Sequence, residues 1–176
     1  MSHIHQEPGQ HDATVSAFII RTDGPEPRIL LHEHRKLNRL FQFGGHVELH
    51  ETPWQAIAHE IEEESGYRLD QLRLLQPADR LMELSSSVLH PQPVCQMTHQ
   101  FSDHDHFHTD TVYAFITDQT PAHEVGEGES GLMRLVTRAE LSQLNEDTIL
   151  PDIKDIGLYI LDSYLQGSEE VSVDAY

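Results

Sequence analysis

Residues 45–67 read GHVELHETPWQAIAHEIEEESGY, and more of the fold can be predicted from this stretch than from any other segment. Thr52 followed by Pro53 is typical of a helix N-cap and first helical residue, and Gln55 completes a capping box. Apolar residues then recur at the spacing of one buried stripe, namely Trp54, Ile57, Ala58 and Ile61. Gly66 suits the position that ends a helix with a positive φ. The stretch therefore predicts a loop followed by a short amphipathic helix.

Three glutamates share one face of that predicted helix. Glu60, Glu63 and Glu64 are spaced i, i+3, i+4, and Glu51 precedes the helix. Stacked like charges destabilise an isolated helix, and a divalent cation with oxygen ligands neutralises them. The spacing therefore predicts a hard-metal site for Mg²⁺ or Mn²⁺. An amphipathic surface helix with a solvated acidic face is the alternative interpretation.

The same stretch closely resembles the signature of the Nudix hydrolase family. Eight positions match at its fixed spacing, namely Gly45, Glu51, Glu60, Ile61, Glu63, Glu64, Gly66 and Tyr67. His59 stands where the family has arginine, and Tyr67 is a loose fit at a bulky apolar position. The resemblance implies an α/β fold, a Nudix-type α/β/α sandwich with a mixed β-sheet flanked by helices. It also implies hydrolysis of the pyrophosphate bond in a nucleoside diphosphate linked to another group, with Mg²⁺ or Mn²⁺ as cofactor.

The resemblance also implies a role for each matching residue. Glu60, Glu63 and Glu64 would be metal ligands, together with the backbone carbonyl of Gly45. Glu60 and Glu64 are the candidate catalytic residues of the helix. Glu60 has a divided role, because the first carboxylate of the signature serves as general base in some family members. Glu51 would orient the helix or bind a metal through water.

His59 is the clearest departure from the signature. The family's arginine is a permanent fork of donors that can hold neighbouring carboxylates in place. A neutral histidine offers one N–H, and only the protonated form offers two donors with a charge. We predict that His59 partly replaces the arginine and makes activity sensitive to pH. A solvated histidine without a role is the alternative.

An acidic loop ahead of the last predicted strand supplies a further candidate. Residues 122–129 read AHEVGEGE. Nudix proteins often contribute one more carboxylate, as ligand or base, from a loop in this place. The resemblance makes Glu127 the first candidate for a catalytic residue and Glu129 the second. A flexible acidic loop without a role is the alternative.

Histidines alternate along a predicted strand. Residues 104–110 read HDHFHTD, so three histidines and Asp110 would share one strand face. Neighbours of equal facing are nearly 7 Å apart, at about 3.3 Å per residue, so ligands in a row on one strand rarely converge on one ion. We therefore expect this face to form a polar wall near the substrate rather than a zinc site.

Basic residues are concentrated ahead of the paired glycines. Residues 32–39 read HEHRKLNR. We expect Arg35 and Arg39 to overlook the cleft and receive substrate phosphates, with a solvated turn as an equally good interpretation. Phe43 and His46 are further substrate-binding candidates, although core packing is the more common fate of such a phenylalanine.

Composition narrows the class of partner. The 176 residues carry 30 acidic and 11 basic side chains, a formal net charge of −19. Such a chain repels nucleic acid. A nucleotide can approach it only where metal ions and basic groups make the local electrostatic potential positive. The single cysteine excludes an internal disulfide, and no apolar run suits a membrane span or signal peptide. We expect a cytoplasmic protein that acts on a small nucleoside diphosphate derivative.

The length of the chain suits one domain. We predict a flexible lead-in over residues 1–12, a single domain over 13–166 and a polar tail over 167–176. Family members are often dimers, so the resemblance implies a homodimer as one option.

Two other function classes stay open. A catalytically weak Nudix-like module that binds a nucleotide metabolite is the alternative to the enzyme, and His59 at the arginine position is its support. The isopentenyl diphosphate isomerase branch shares the fold, but it needs a suitably placed catalytic cysteine. Cys95 lies far beyond the helix in a predicted strand, which disfavours that branch.

Overall fold

The computed structural model describes residues 4, 9–101, 106–128 and 130–176. Nine strands of this part of the chain form one mixed sheet. They are β1 (His11–Arg21), β2 (Arg28–His34), β3 (Arg39–Phe41), β4 (Phe43–His46), β5 (Arg73–Pro77), β6 (Cys95–Phe101), β7 (His106–Thr117), β8 (Met133–Thr137) and β9 (Ser168–Ser172).

The sheet is built around a parallel pair, β1 and β7, in the order β3-β2-β1-β7-β5-β9. In addition, β4 pairs with β1, β6 with β7 and β8 with β2. All pairs other than β1–β7 are antiparallel. Because β3 pairs with β2 while β4 pairs with β1, the chain from 39 to 46 crosses from one central strand to the next.

Helices cover both faces of the sheet. They are α1 (Pro53–Ser65), α2 (Arg138–Gln143) and α3 (Pro151–Tyr159), which continues through a π-helical turn (Ile160–Tyr164) into α4 (Leu165–Gly167). Short 3₁₀ turns lie at Leu69–Gln71 and Val173–Ala175. None of the helices in the described residues is long and apolar enough to cross a membrane.

The two faces of β1 belong to two hydrophobic clusters. Val15, Ala17 and Ile19 pack with α1, whereas Phe18 and Ile20 pack toward α2 and α3. This alternation follows from the twofold periodicity of a strand buried on both sides. The sheet is thus the middle layer of three, which confirms the predicted α/β sandwich.

Helix α1 begins and ends at the residues that the sequence indicates. The Thr52 hydroxyl accepts from the Gln55 N–H at 3.3 Å, and the Gln55 side chain accepts from the Thr52 N–H at 2.8 Å. Gly66 closes the helix in the left-handed conformation with φ 72°. The capping box and the glycine cap are therefore confirmed.

The two ends of the predicted domain differ from expectation. β1 begins at His11, inside the expected lead-in, and Asp12 is only 1 % exposed. The expected polar tail forms β9, which pairs with the free edge of β5, and Val173 beyond it is buried. Main-chain pairing at an open sheet edge depends little on side-chain polarity, so composition did not reveal this strand. The division into one domain and two tails stays a prediction.

His32 is a buried histidine on β2. Its side chain is 2 % exposed and its ring centroid lies 5.2 Å from that of Phe43. The pKa of His32 is lowered to about 4, chiefly by burial and also by the nearby His34, while a hydrogen bond with the Gln42 backbone acts in the opposite direction. The folded chain therefore keeps this imidazole neutral in weak acid.

We expect His32 to destabilise the fold in acid. The unfolded chain takes up the proton near pH 6.5, so stability is full above that pH and falls toward pH 4. The loss is on the order of 2–3 kcal/mol at pH 4.5. Urea unfolding at pH 7 and pH 4.5 measures it, and His32→Gln should show less of the loss. An equal loss in wild type, His32→Gln and the half-buried control His34→Gln would contradict the expectation.

Candidate active site

The junction of β4 with α1 places a carboxylate against backbone. The Gly44 N–H donates to Glu64 Oε2 at 2.7 Å. Gly44 has φ +142°, and a Cβ there would collide with the carbonyl oxygen of Val15 on β1. Only glycine tolerates both the dihedral angle and the close approach. The paired glycines therefore fix Glu64 relative to the sheet.

Two of the three signature glutamates are buried. Glu60 is 7 % exposed and Glu64 is 5 % exposed. The two side chains lie one turn apart and share one face of α1. The Glu63 side chain is 44 % exposed. Burial of charged carboxylates is costly unless hydrogen bonds or a counter-charge offset it. Two buried carboxylates and one exposed carboxylate, at the boundary between core and solvent, suit the binding of a cation through oxygen ligands.

His59 lies between two acidic side chains. Its Nε2 is 3.4 Å from Glu63 Oε2, and its Nδ1 is 4.0 Å from Glu51 Oε2. The other oxygen of Glu51 accepts from the Glu48 N–H at 2.9 Å, which holds the turn before α1. The position of His59 thus lets one side chain reach a loop carboxylate and a helix carboxylate together.

The acidic loop is docked on the second half of α1. The Gly126 N–H donates to the Glu63 carbonyl at 2.7 Å, and the His123 N–H donates to the Gly66 carbonyl at 3.0 Å. A Cβ on Gly126 would lie 2.8 Å from Glu63 Cγ, so this glycine permits the close approach. Glu127 follows directly and is exposed. Its role stays a prediction, and Glu129 lies outside the described residues.

Gly126 is a site residue that the sequence reasoning missed. The feature of the sequence that could have indicated it is a glycine within an acidic loop. Such a glycine often marks a place where the backbone packs closely against another segment. The partner of that approach is Glu63, which lies 63 residues earlier in the chain. The sequence did not reveal this pairing, because it depends on how the loop folds back on the helix.

The basic candidates lie on the turn before β3 and at the first residue of that strand. Arg35 is exposed on the turn between β2 and β3. Arg39 begins β3, which pairs with β2, whereas Gly44 lies in β4, which pairs with β1. With Arg134, Glu33 and other residues, Arg39 lines a cleft of about 610 Å³ that includes none of the α1 glutamates. Phosphate binding by Arg35 and Arg39 stays a prediction.

The remaining substrate-binding candidates are buried. Phe43 is 0 % exposed within the cluster beneath α1, so its ring packs in the core and offers no face to a base. His46 is 9 % exposed, and its Nε2 is 3.5 Å from Asp12 Oδ2 at the start of β1. Cys95 is half-buried in β6 opposite Val112. The burial of Phe43 and His46 therefore does not support substrate binding by these two side chains.

Comparison with known protein families identifies the chain. The model of the NUDIX domain family matches residues 10–153, which include β1, the glycine turn, α1 and the acidic loop. The chain belongs to the Nudix family. Its fold is that of a Nudix-type hydrolase. A comparison with curated proteins found no match.

Solved Nudix structures share the fold. A hydrolase of the NUDIX family from Clostridium perfringens is 28 % identical, with TM-score 0.68 over 85 % of this chain and 95 % of that one. An Ap4A hydrolase of C. elegans in a binary complex is 15 % identical, with TM-score 0.59 over 88 % and 98 %. The NUDIX domain of Shewanella oneidensis NrtR, complexed with ADP ribose, is 11 % identical, with TM-score 0.60 over 85 % and 86 %.

Replacement of His59 by arginine tests whether this position organises the carboxylates. The arginine fork can contact Glu51 and Glu63 at once and keeps its charge at every working pH. We expect His59→Arg to raise Mg²⁺-dependent turnover a few-fold and to make it less sensitive to pH. His50→Arg, which adds the same charge in the loop before α1, should change neither. Unchanged rate and pH profile in His59→Arg would contradict the role of His59.

Proposed function

We propose that this Nudix protein hydrolyses the pyrophosphate bond of a nucleoside diphosphate linked to another group. The observation that carries the proposal is the contact of α1 with the glycine turn of β4, where the Gly44 N–H donates to Glu64. The match of the family model over residues 10–153 supports the same reaction class. A net charge of −19 makes a nucleic acid substrate unfavourable.

The donor set fits Mg²⁺ or Mn²⁺. Both ions prefer carboxylate and carbonyl oxygens, and Glu60, Glu63, Glu64 and the Gly45 carbonyl would hold them. When bound, such ions neutralise phosphate charge and lower the pKa of a coordinated water. The partial burial of Glu60 and Glu64 supports this fit, because a cation offsets the cost of burying two carboxylates.

Groups around the proposed metal ligands would hold these ligands in position and accept the proton of the attacking water. The Gly44 N–H orients the Glu64 carboxylate toward β4. His59 would hold Glu51, which precedes α1, together with Glu63, which lies in the last turn of the helix. Glu60 or Glu127 would accept the proton of the attacking water, and the docking of Gly126 on Glu63 keeps Glu127 beside the helix.

A binding module without strong catalysis is the second candidate. His59 at the arginine position supports it, and the NrtR domain complexed with ADP ribose is an example of a Nudix domain that holds a nucleotide derivative. The retained Glu60, Glu63 and Glu64 favour the enzyme. Mg²⁺-dependent phosphate release, coupled through pyrophosphatase or phosphatase, separates the two functions. The panel should span dinucleoside polyphosphates, ADP-sugars, oxidised nucleoside triphosphates, and flavin and nicotinamide dinucleotides.

Glu64→Gln should abolish turnover while the fold remains intact. The amide oxygen can still accept from the Gly44 N–H, but the negative charge that binds a cation is lost. We expect a fall of orders of magnitude in kcat on the best panel substrate and a melting temperature close to that of wild type. Glu62→Gln, an exposed glutamate on the same helix, is the matched control and should retain activity. Wild-type turnover in Glu64→Gln would overturn the proposed function.

A further inference from the structure

A second cluster of metal-ligating side chains lies on the face of the sheet opposite α1. Asp12 is the second residue of β1, His46 ends β4, and His106 and His108 are the first and third residues of β7. Asp12 pairs with His108 across the parallel strands, and Thr14 pairs with His46 across the antiparallel ones. Paired residues share a sheet face. By alternation from Phe18 and Ile20, that face is the one covered by α2 and α3.

The side chains converge on the Asp12 carboxylate. One ligand atom each from Asp12, His46 and His108 lies within 4.8 Å of the other two. His46 Nε2 is 3.5 Å from Asp12 Oδ2. The ring centroids of His46 and His108 are 4.8 Å apart and nearly perpendicular. Tetrahedral zinc ligands, with bonds of about 2.0–2.1 Å, lie roughly 3.4 Å apart. The distances between these ligand atoms therefore need to shorten by no more than about 1.4 Å for the cluster to enclose an ion.

Further groups orient the carboxylate. The Nε2 of His106 is 3.1 Å from Asp12 Oδ2, and the Ile4 N–H donates to the same oxygen at 3.1 Å. Asp12 is 1 % exposed and His106 is 2 % exposed, whereas His108 is half-buried. Carboxylate ligands of metal ions are commonly held by such outer hydrogen bonds. The Asp12 carboxylate is thus held in position by neighbouring groups, and the cluster reaches solvent on the side of His108.

This geometry removes the objection that the sequence raised. Histidines in a row on one strand lie too far apart to share an ion, and that argument still applies to His106 and His108 taken alone. Here the three candidate ligands come from three strands, β1, β4 and β7. Asp12 was not a candidate, because it lies in the expected lead-in and joins the histidines only through the parallel pairing of β1 with β7.

We propose that Asp12, His46 and His108 bind one divalent transition-metal ion, with Zn²⁺ as the best match to the donors. Two imidazoles and one carboxylate favour zinc over magnesium, which prefers oxygen ligands alone. His106 is a positioning residue that acts through Asp12. Three protein ligands leave a coordination position for water on the exposed side at His108. The ion links the end of β4, directly after Gly45, to β1 and β7. This site is independent of the proposed hydrolase function.

Zinc titration in the presence of excess Mg²⁺ tests the site, because Mg²⁺ occupies the all-oxygen donors of α1. We expect the full-length wild type to bind one Zn²⁺ per chain in competition with a chromogenic chelator, and its melting temperature to rise by several degrees. Co²⁺ in place of Zn²⁺ should give the visible absorption of a nitrogen- and oxygen-ligated ion. His46→Gln and His108→Gln should each weaken zinc binding at least about tenfold.

Matched variants make the test decisive. His11 is exposed, precedes Asp12 in the chain and stacks its ring on Phe107. The His11→Gln variant should bind zinc as wild type does. Glu64→Gln should also keep zinc affinity, whatever its effect on turnover. Melting in chelator verifies that His46→Gln and His108→Gln are folded. The proposal is overturned if wild type binds no stoichiometric zinc, if both folded histidine variants bind it unchanged, or if the loss follows Glu64→Gln instead.

Discussion

The hydrogen bond from the Gly44 N–H to Glu64 is the contact on which the arrangement of the site depends. It requires a glycine with φ +142° packed on the Val15 backbone, so β4 must be paired with β1 before α1 can seat its carboxylate. The capping box at Thr52 then sets where the helix starts, and the stripe of Trp54, Ile57 and Ile61 sets which side faces the sheet. Two glutamates are buried as a consequence of that orientation.

The two faces of the sheet offer different ligand chemistry close to one strand. On the α1 face, carboxylate and carbonyl oxygens surround the glycine turn, which suits hard cations. On the other face, imidazoles gather around Asp12, which suits softer ions. His46 follows Gly45 in the chain, and adjacent residues of a strand point to opposite faces. The end of β4 therefore connects both clusters, while the strongly acidic chain favours cations at each.

Local signals predicted much of this structure. Capping residues, apolar periodicity and a terminal glycine located α1 to the residue. These features depend on residues within a few positions of each other, which a single sequence displays directly.

Long-range pairing could not be predicted in the same way. The tail forms β9 because the edge of β5 is open, and polar residues such as Glu169 and Glu170 gave no strand signal. Asp12 meets His108 only through a parallel pairing across 96 residues, and Gly126 meets Glu63 only after the acidic loop folds back.

Anomalous diffraction from crystals soaked in Mn²⁺, with zinc excluded, tests the central claim most directly. The account predicts a manganese peak in contact with Glu60, Glu63 or Glu64 and with the Gly45 carbonyl, which lies beside the Gly44 turn. Absence of manganese from this position, or a peak confined to the Asp12 and His46 cluster, would contradict the assignment of the α1 carboxylates as the catalytic metal site.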